Sequence, residues 1–212
     1  IMEAAQKTNM PDGVFSLLHG SGKVVGQSLI SHSGVKAAGF TGSQRAGRIL
    51  FDLANQRKEP IPFFAEMGSV NPVLLLPNSL NIKTAEMLAT SITMGAGQFC
   101  TNPGLLITLE NDLLEKFIID LVSALEKIEP GVMLTEKICK SYYNDLDLSL
   151  SNQEVKVESK LTYNNGLNNA ASVLVSVKGE SFLKNPNLAD EVFGPYSMIV
   201  KCKNEDEVND VL

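Results

Sequence analysis

Short apolar runs alternate with helical segments along the first 67 residues, and this alternation constrains the fold more than any other feature of the sequence. Strands are predicted over 14–18, 35–40 and 61–67, and helices over 23–31 and 43–57. Strand, helix and strand at this spacing are typical of parallel βαβ units, in which helices cover both faces of a sheet. The sequence therefore predicts an α/β fold built on a parallel sheet.

The same alternation starts again after residue 71 and extends to the end of the chain. Strands are predicted over 72–76, 105–110, 172–177 and 197–202, and helices over 82–96, after a cap at Asn111, and from 204. The helix after Asn111 carries apolar residues at the i, i+3, i+4 spacing of one buried face, from Leu113 to Leu125. The more polar stretch 135–190 is predicted to hold shorter elements, with a surface turn at 164–166.

Charge and composition argue against several classes of protein. The net charge is −6 and the 18 basic residues are scattered, so neither nucleic acid nor a membrane surface is an expected partner. No apolar run reaches the roughly 18 residues that span a bilayer. Three cysteines without framework spacing favour a reducing compartment, hence the cytoplasm. His19 and His32 are too few for a multi-histidine metal site, and both fit surface or loop positions.

Two glycine-containing turns follow predicted strands and open predicted helices. Segment 20–26 reads GSGKVVG, a GxGxxxG spacing that differs from the dinucleotide fingerprint and fits a plain tight turn equally well. In the second turn, Ser43 follows Gly42 and is placed to cap a helix whose free N–H groups could bind a pyrophosphate. Gly47 would leave a gap on that helix for a ligand or a strand. The alternative is an ordinary capped helix.

Two further segments carry reactive side chains. Glu66 ends the third predicted strand, where an apolar setting would suit a general base, although a strand-end salt bridge is the alternative. Cys100 lies in the glycine-flanked segment 95–104, where backbone N–H groups can stabilise a thiolate nucleophile. The alternative for a free cysteine is a small buried hydrophobe. That interpretation is the one we apply to Cys139 and Cys202.

Four segments together resemble motifs of the aldehyde dehydrogenase superfamily, in that family's order and with similar gaps. They are FTGS at 40–43, AEMGSVNP at 65–72, GQFC at 97–100 and EVFGP at 191–195. The resemblance covers essentially the whole chain. The residues of the middle two motifs most resemble those of the branch that contains α-ketoglutaric semialdehyde (2,5-dioxovalerate) dehydrogenases and NADP-using fatty aldehyde dehydrogenases.

This resemblance implies a fold, a reaction and a quaternary structure. Residues 1–67 would form the C-terminal part of a Rossmann-type NAD(P)-binding domain, and 68–212 a catalytic domain truncated at its C-terminal end, with the active site between them. The implied reaction oxidises an aldehyde to a carboxylic acid with NADP or NAD through a cysteine thiohemiacetal and thioester. The expected substrate is α-ketoglutaric semialdehyde, and the expected assembly is a homodimer or homotetramer.

The resemblance also implies roles for individual residues. Cys100 would be the nucleophile and Glu66 the general base. The implied cofactor contacts are Thr41, Gly42, Ser43 and Gly47 at the pyrophosphate, Met67 and Gly68 after the second motif's Glu, Glu191 at the nicotinamide ribose, and Phe193 beside the nicotinamide. Ser69 and Val70 stand where the commonest family pattern has a second glycine and a lysine. The asparagine that completes the oxyanion hole is expected upstream of Ile1.

Two rival functions stay open at this point. A CoA-acylating dehydrogenase would share the fold, although a carboxylate at the base position, Glu66, argues against it. A non-catalytic folded fragment is the other, because the chain begins inside a predicted helix and we expect it to be inactive alone. A plain thiol hydrolase lacks the histidine that a Cys–His pair requires, since His19 and His32 both lie in the nucleotide half.

Overall fold

The computed structural model describes residues 1–160 and 167–212, except for the side chain of Met2. Within it the chain forms two compact units, Ile1–Gly68 and Ser69–Leu212. The surface turn predicted at 164–166 lies outside the described residues. None of the helices in the described part is both long and apolar enough to cross a membrane.

The first unit contains a βαβ arrangement with a small core. Its helices are α1 (Met2–Lys7), α2 (Gly22–Ser31) and α3 (Gln44–Gln56), and its strands are β1 (Ala38–Thr41) and β2 (Phe63–Glu66). The two strands are parallel, with Thr41 opposite Glu66, as the alternation predicted. Ile30 of α2, Ala54 of α3 and Ile61 are the buried centre of this unit.

The strand predicted over 14–18 is wrong. This segment has no regular structure, and Val14, Leu17 and Leu18 are each more than 60% exposed. A strand needs a neighbour that accepts and donates its backbone hydrogen bonds. Among the described residues of the first unit, β1 and β2 pair only with each other, so the apolar run 14–18 has no sheet to join.

The second unit is built on a five-stranded sheet. Its strands are β3 (Pro72–Leu75), β4 (Leu105–Leu109), β6 (Lys156–Val157), β8 (Val173–Lys178) and β9 (Tyr196–Cys202), in the order β3-β4-β9-β8-β6. All neighbours are parallel except β6, which runs antiparallel to β8. A separate antiparallel pair joins β5 (Gly131–Val132) to β7 (Asn169–Ala170). The four long strands were predicted because a parallel sheet is buried on both faces and its strands are almost continuously apolar.

Helices cover both faces of this sheet. They are α4 (Ile82–Thr93), α5 (Leu114–Leu125), α6 (Glu136–Leu150), α7 (Gly179–Lys184) and α8 (Glu205–Val211). One core lies between the sheet and α4 and α5, and contains Leu106 and Ile199. The core on the other face contains Ile107 and Val200 with side chains of α6, α7 and α8. Adjacent residues of β4 and β9 thus point to opposite faces, as the pleat requires.

The helix after β4 begins two residues later than predicted. Asn111 is not its N-cap, because Leu113 occupies that position without a side-chain cap. Instead, the Asn111 Oδ1 accepts a hydrogen bond from the Leu113 N–H at 2.9 Å and its Nδ2 donates to the Leu109 carbonyl. Asn111 therefore forms a turn that leads into α5. The predicted buried face is present, although its first residue, Leu113, is 50% exposed.

The expectation of short elements in 135–190 is also wrong in part, because α6 is 15 residues long. Most residues of α6 are polar, and its buried face consists of only Cys139, Tyr142 and Leu146. These positions are three and four apart, so they share one face of the helix. Thr135 caps α6 by accepting a hydrogen bond from the Ile138 N–H at 3.2 Å.

Candidate active site

A left-handed turn delivers Cys100 to the surface of the second unit. The helix predicted over 82–96 ends at Thr93, and Gly95, Ala96 and Gly97 follow with φ of +56°, +57° and +68°. An L side chain is strained in this conformation, which glycine adopts freely. The chain therefore leaves the helix axis abruptly.

Gln98 holds this turn from its far side. Its Nε2 donates to the Gly95 carbonyl at 2.9 Å, and its Oε1 accepts from the Leu134 N–H at 2.9 Å. Through these two bonds, Gln98 connects the turn that precedes Cys100 to the segment at Leu134.

The three cysteines differ in exposure. Cys100 is exposed, whereas Cys139 is 8% exposed and Cys202 is fully buried. Burial raises the pKa of the Cys139 thiol, with a smaller contribution from the charge of Glu136. Burial also raises the pKa of Cys202 to about 11. The interpretation of Cys139 and Cys202 as small buried hydrophobes is confirmed, and the only cysteine open to a small molecule among the described residues is Cys100.

The GQFC segment lies directly against the EVFGP segment. A Cβ on Gly97 would lie 2.1 Å from the carbonyl carbon of Gly194 and 2.3 Å from the nitrogen of Pro195. A Cβ on Gly194 would in turn lie 2.2 Å from the ring of Tyr142. No real Cβ is tolerated at such distances, so both positions require glycine for packing.

Two asparagines connect the motif segments of the second unit. The Asn71 Nδ2 donates to the carbonyl of Cys100 at 2.6 Å and to the carbonyl of Asn102 at 3.0 Å. The Asn102 Nδ2 donates to the carbonyl of Gly194 at 3.0 Å. The Gly104 N–H adds a bond to the Val70 carbonyl at 3.0 Å. The segments 69–72, 97–104 and 191–195 therefore form one hydrogen-bonded cluster.

These asparagines were not among the residues predicted for the site. Asn71 has a φ of +43°, which asparagine tolerates better than most residues, and it precedes a proline. That combination marks a turn in a sequence, but it does not reveal which carbonyl groups the side chain will reach.

Glu191 and Phe193 line a pocket of the second unit together with Ser69, Phe99 and Asn102. The Glu191 Oε1 accepts a hydrogen bond from the Ser69 N–H at 3.3 Å. Burial raises the pKa of Glu191 and the nearby negative charge of Asp145 raises it further, whereas the Ser69 hydrogen bond lowers it. The lining of this pocket thus combines two carboxyl groups, those of Asp190 and Glu191, with aromatic rings that include Phe193.

In the first unit, Ser43 is the N-cap of α3, as predicted. Its Oγ accepts a hydrogen bond from the Ala46 N–H at 3.4 Å, and the first turn of α3 contains no acidic residue. Thr41 and Gly42 lie directly before it, at the carboxyl end of β1, and are exposed. An unopposed helix N-terminus next to exposed backbone is suited to an anion, so these residues fit the phosphates of a dinucleotide.

The gap predicted at Gly47 is filled from within the first unit. A Cβ on Gly47 would lie 2.6 Å from the Sδ of Met67, so the Met67 side chain occupies the space that the glycine leaves. Gly68 follows at the end of this unit and is exposed. Met67 and Gly47 are thereby brought into contact, a pairing that no sequence pattern predicted.

Glu66 does not lie in the apolar setting that the sequence suggested. Its side chain is exposed at the carboxyl end of β2, because alternate residues of this four-residue strand point outward. Its backbone carbonyl accepts a hydrogen bond from the Gly42 N–H at 3.1 Å, which ties the ends of β1 and β2 together. Glu66 belongs to the first unit and Cys100 to the second.

The GxGxxxG segment forms an ordinary helix start. Gly22 is the first residue of α2, and the N-cap Ser21 makes no side-chain cap bond. A Cβ on Gly20 would lie 2.6 Å from the Val25 side chain. The segment therefore turns the chain into α2, as expected.

Comparison with known proteins gives a consistent result. The model of the "Aldehyde dehydrogenase family" matches residues 1–211. The chain is 43% identical to alpha-ketoglutaric semialdehyde dehydrogenase 2 from Azospirillum brasilense and 38% identical to alpha-ketoglutaric semialdehyde dehydrogenase from Acinetobacter baylyi. These alignments cover 100% and 97% of this chain, but 41% and 39% of the relatives. The chain thus spans about two-fifths of the length of these curated relatives.

A solved structure shows the same fold. The crystal structure of the aldehyde dehydrogenase KauB from Pseudomonas aeruginosa matches with a TM-score of 0.82 at 20% identity. The match covers 99% of this chain and 44% of that one. The expected aldehyde dehydrogenase-like α/β fold is therefore confirmed.

Proposed function

The chain belongs to the aldehyde dehydrogenase family, and on that premise we propose that it is the part of an NAD(P)-dependent aldehyde dehydrogenase that carries the nucleophile, Cys100. The observation that carries the proposal is the exposure of Cys100 on a loop fixed by two other motif segments. The other cysteines are buried, so a thiol mechanism has a single candidate among the described residues.

The proposed chemistry begins at Cys100. Its thiolate attacks the aldehyde carbon and forms a thiohemiacetal, while the Cys100 backbone N–H donates to the developing oxyanion. When bound, NAD(P) would supply the redox chemistry of the reaction as hydride acceptor. Cys100 is then acylated as a thioester. Glu66, as general base, takes a proton from a water molecule that attacks the thioester, and the acid is released.

Other residues of the chain would hold the cofactor. Thr41, Gly42 and Ser43 present backbone N–H groups and the N-terminal dipole of α3 to the phosphates, and Gly47, Met67 and Gly68 border that site. Glu191 would accept hydrogen bonds from the nicotinamide ribose, and Phe193 would pack beside the ring. The half-buried carboxyl group of Glu191 and its neighbouring phenyl ring support this assignment.

The substrate we propose is α-ketoglutaric semialdehyde, which would be oxidised to 2-oxoglutarate. The two relatives above carry this substrate in their names and are the basis for the choice. We further propose that residues 1–67 belong to the nucleotide-binding domain and 68–212 to the catalytic domain, that the enzyme acts in the cytoplasm, and that it assembles as a homodimer or homotetramer.

The test measures NAD(P)H formation by the full-length protein that contains residues 1–212. α-Ketoglutaric semialdehyde is compared with a long-chain aldehyde, with each cofactor, and the acid product is identified by mass spectrometry. We expect Cys100→Ser to lose oxidation by at least about 10³-fold, because a hydroxyl is a far weaker nucleophile than a thiolate.

A companion variant separates the two chemical stages. Glu66→Gln should slow release of the acid more than the first burst of NAD(P)H formation, because hydrolysis of the thioester needs a general base. Wild-type turnover in Cys100→Ser would overturn the proposal. The same holds if the folded protein binds the cofactor but reduces it with no aldehyde.

A further inference from the structure

We propose that Ser69 is a positioning residue for Cys100. Its hydroxyl fixes the orientation of the Asn71 carboxamide, which in turn holds the peptide carbonyl groups on both sides of Thr101. This inference rests on the proposed function in taking Cys100 as the nucleophile. Ser69 itself is not placed against the substrate.

The Ser69 hydroxyl makes two bonds to Asn71. Its Oγ accepts from the Asn71 backbone N–H at 3.2 Å and donates to the Asn71 Oδ1 at 3.1 Å. A hydroxyl can do both at once because it has one proton and two lone pairs. The proton given to Oδ1 identifies that atom as the end of the carboxamide facing Ser69.

The amino end of the carboxamide consequently faces the nucleophile loop. Both hydrogens of the Asn71 Nδ2 are used, one on the Cys100 carbonyl at 2.6 Å and one on the Asn102 carbonyl at 3.0 Å. A rotation of the carboxamide by 180° would bring Oδ1 against these two carbonyl oxygens and lose both bonds. In that rotated state the Ser69 Oγ would face the NH₂ group and could only accept from it, so the hydroxyl proton would also lose its Oδ1 acceptor.

Ser69 also bonds the segment on the other side of the pocket. Its backbone N–H donates to the Glu191 Oε1 at 3.3 Å. One residue therefore connects the loop of Cys100 with the carboxyl group proposed to hold the ribose. Replacement by alanine would keep this N–H and remove only the hydroxyl, whereas glycine, the residue of the commonest family pattern, would also keep the N–H but lose the Cβ and loosen the backbone.

The expected consequence is a change in rate. Misplacing a reacting atom by about 1 Å can cost about 10²-fold, so a loop freed from Asn71 should react more slowly. Without the Ser69 hydroxyl, the Asn71 carboxamide can still bond the loop carbonyl groups in one of its two orientations. The loss of rate should therefore be smaller than for a variant that lacks the carboxamide. Asn71→Ala removes both bonds to the loop and should have the larger effect.

The test uses a reaction of Cys100 that needs no cofactor. In the full-length protein, the thiolate attacks the carbonyl carbon of p-nitrophenyl acetate, and the ester C–O bond breaks. p-Nitrophenolate leaves and the acetyl group stays on Sγ as a thioester. The rate constant of this acylation is measured from the first burst of p-nitrophenolate, and acetylation of Cys100 is verified by peptide mass spectrometry.

Five variants are compared with the wild type. Ser69→Ala and Ser69→Gly should each lower the acylation rate constant about tenfold, Asn71→Ala about 10²-fold, and Ser69→Thr, which keeps the hydroxyl, less than about threefold. Ser79→Ala is the matched control. It also loses a hydroxyl bonded within its own turn, to the Leu76 carbonyl at 2.7 Å, and its acylation rate should equal that of the wild type.

The outcomes separate positioning from stability and from the proposed function. A slower acylation in Ser69→Ala and Ser69→Gly, rescued by Ser69→Thr and without a parallel fall in the thermal midpoint, supports the proposal. Wild-type acylation in Ser69→Ala, or equal loss in the alanine and threonine variants, overturns it. A wild-type protein that acetylates Cys100 but oxidises no aldehyde contradicts the proposed function, while the comparison of the Ser69 variants still decides this inference.

Discussion

Gly97→Ala tests whether the nucleophile segment is fixed by contact between main chains. The new Cβ would lie 2.1 Å from the carbonyl carbon of Gly194 and 2.2 Å from its oxygen. These are backbone atoms next to Pro195, so neither can move aside as a flexible side chain would. The substitution also places a Cβ on a residue with a φ of +68°.

The two costs can be estimated separately. A left-handed conformation costs an L-residue about 1–2 kcal/mol, and forcing an extra carbon into packed surroundings costs about 1–3 kcal/mol. The free energy of unfolding of Gly97→Ala should therefore fall by about 2–5 kcal/mol. Acylation of Cys100 should fall as well, because Gly97 is three residues from the nucleophile.

Two other glycines give graded controls. Gly95→Ala has a similar φ of +56°, but the atoms nearest its Cβ belong to the phenyl ring of Phe99, a side chain that is 48% exposed and can move aside. It should cost only about 1–2 kcal/mol. Gly22→Ala, at the first residue of α2, has neither a positive φ nor a neighbour within 4 Å. Its effect should stay below about 1 kcal/mol.

The assay is urea unfolding of the full-length variants followed by far-ultraviolet circular dichroism, with hydrogen exchange of peptides covering 94–104 to localise the loss. The midpoint should shift at constant slope if stability alone has changed. If Gly97→Ala is no less stable than Gly95→Ala, backbone contact with Gly194 does not fix this segment.

Three further predictions follow from burial, titration and capping. N-Ethylmaleimide should modify Cys100 of the native protein at least about 100-fold faster than Cys139 or Cys202; peptide mass spectrometry showing equal rates would contradict the burial difference. Because the native Cys202 thiol keeps its proton up to a pKa of about 11, above its ordinary value of 9.0, the unfolded chain binds fewer protons between these values. Stability should therefore fall as pH rises through that window, and Cys202→Ala should make the fall in thermal midpoint shallower; an unchanged slope would refute this. Ser43→Ala should destabilise α3 by about 1 kcal/mol and raise the KM for the cofactor. Thr135→Ala removes the equivalent cap of α6 and should leave that KM unchanged; equal KM effects would show that Ser43 acts through stability alone.

The sequence predicted the strands of the second unit well, because their burial is a local property of the chain. β4, β8 and β9 are almost entirely buried, and a continuous apolar run is what such strands require. The segment 14–18 is equally apolar but forms no strand, since pairing depends on a neighbour rather than on the run itself. The opposite error occurred at α6, where three buried residues in a polar helix were too few to stand out.

The sequence indicated the candidate reactive residues of the site, but it did not indicate the hydrogen bonds that hold the site's segments together. Cys100 and Glu66 became candidates because the segments around them together resemble motifs of one family, since each residue alone had a structural alternative. Asn71 and Asn102 were missed, because their partners are backbone carbonyl groups 29 to 92 residues away along the chain. Every residue has a backbone carbonyl, so no residue type or spacing in the sequence predicts such a contact.

The motif residues of the second unit form two groups. Packing requires the residue type at some positions and would accept other side chains at the rest. Gly97 and Gly194 must be glycine because a Cβ at either position would overlap atoms of its own fold. Identity at these positions therefore supports a shared structure and carries no information about catalysis. Cys100 is exposed and Glu191 is only half-buried, so packing would accept many other side chains there. A thiol and a carboxyl group at positions free of packing constraint are the part of the resemblance that supports a shared reaction.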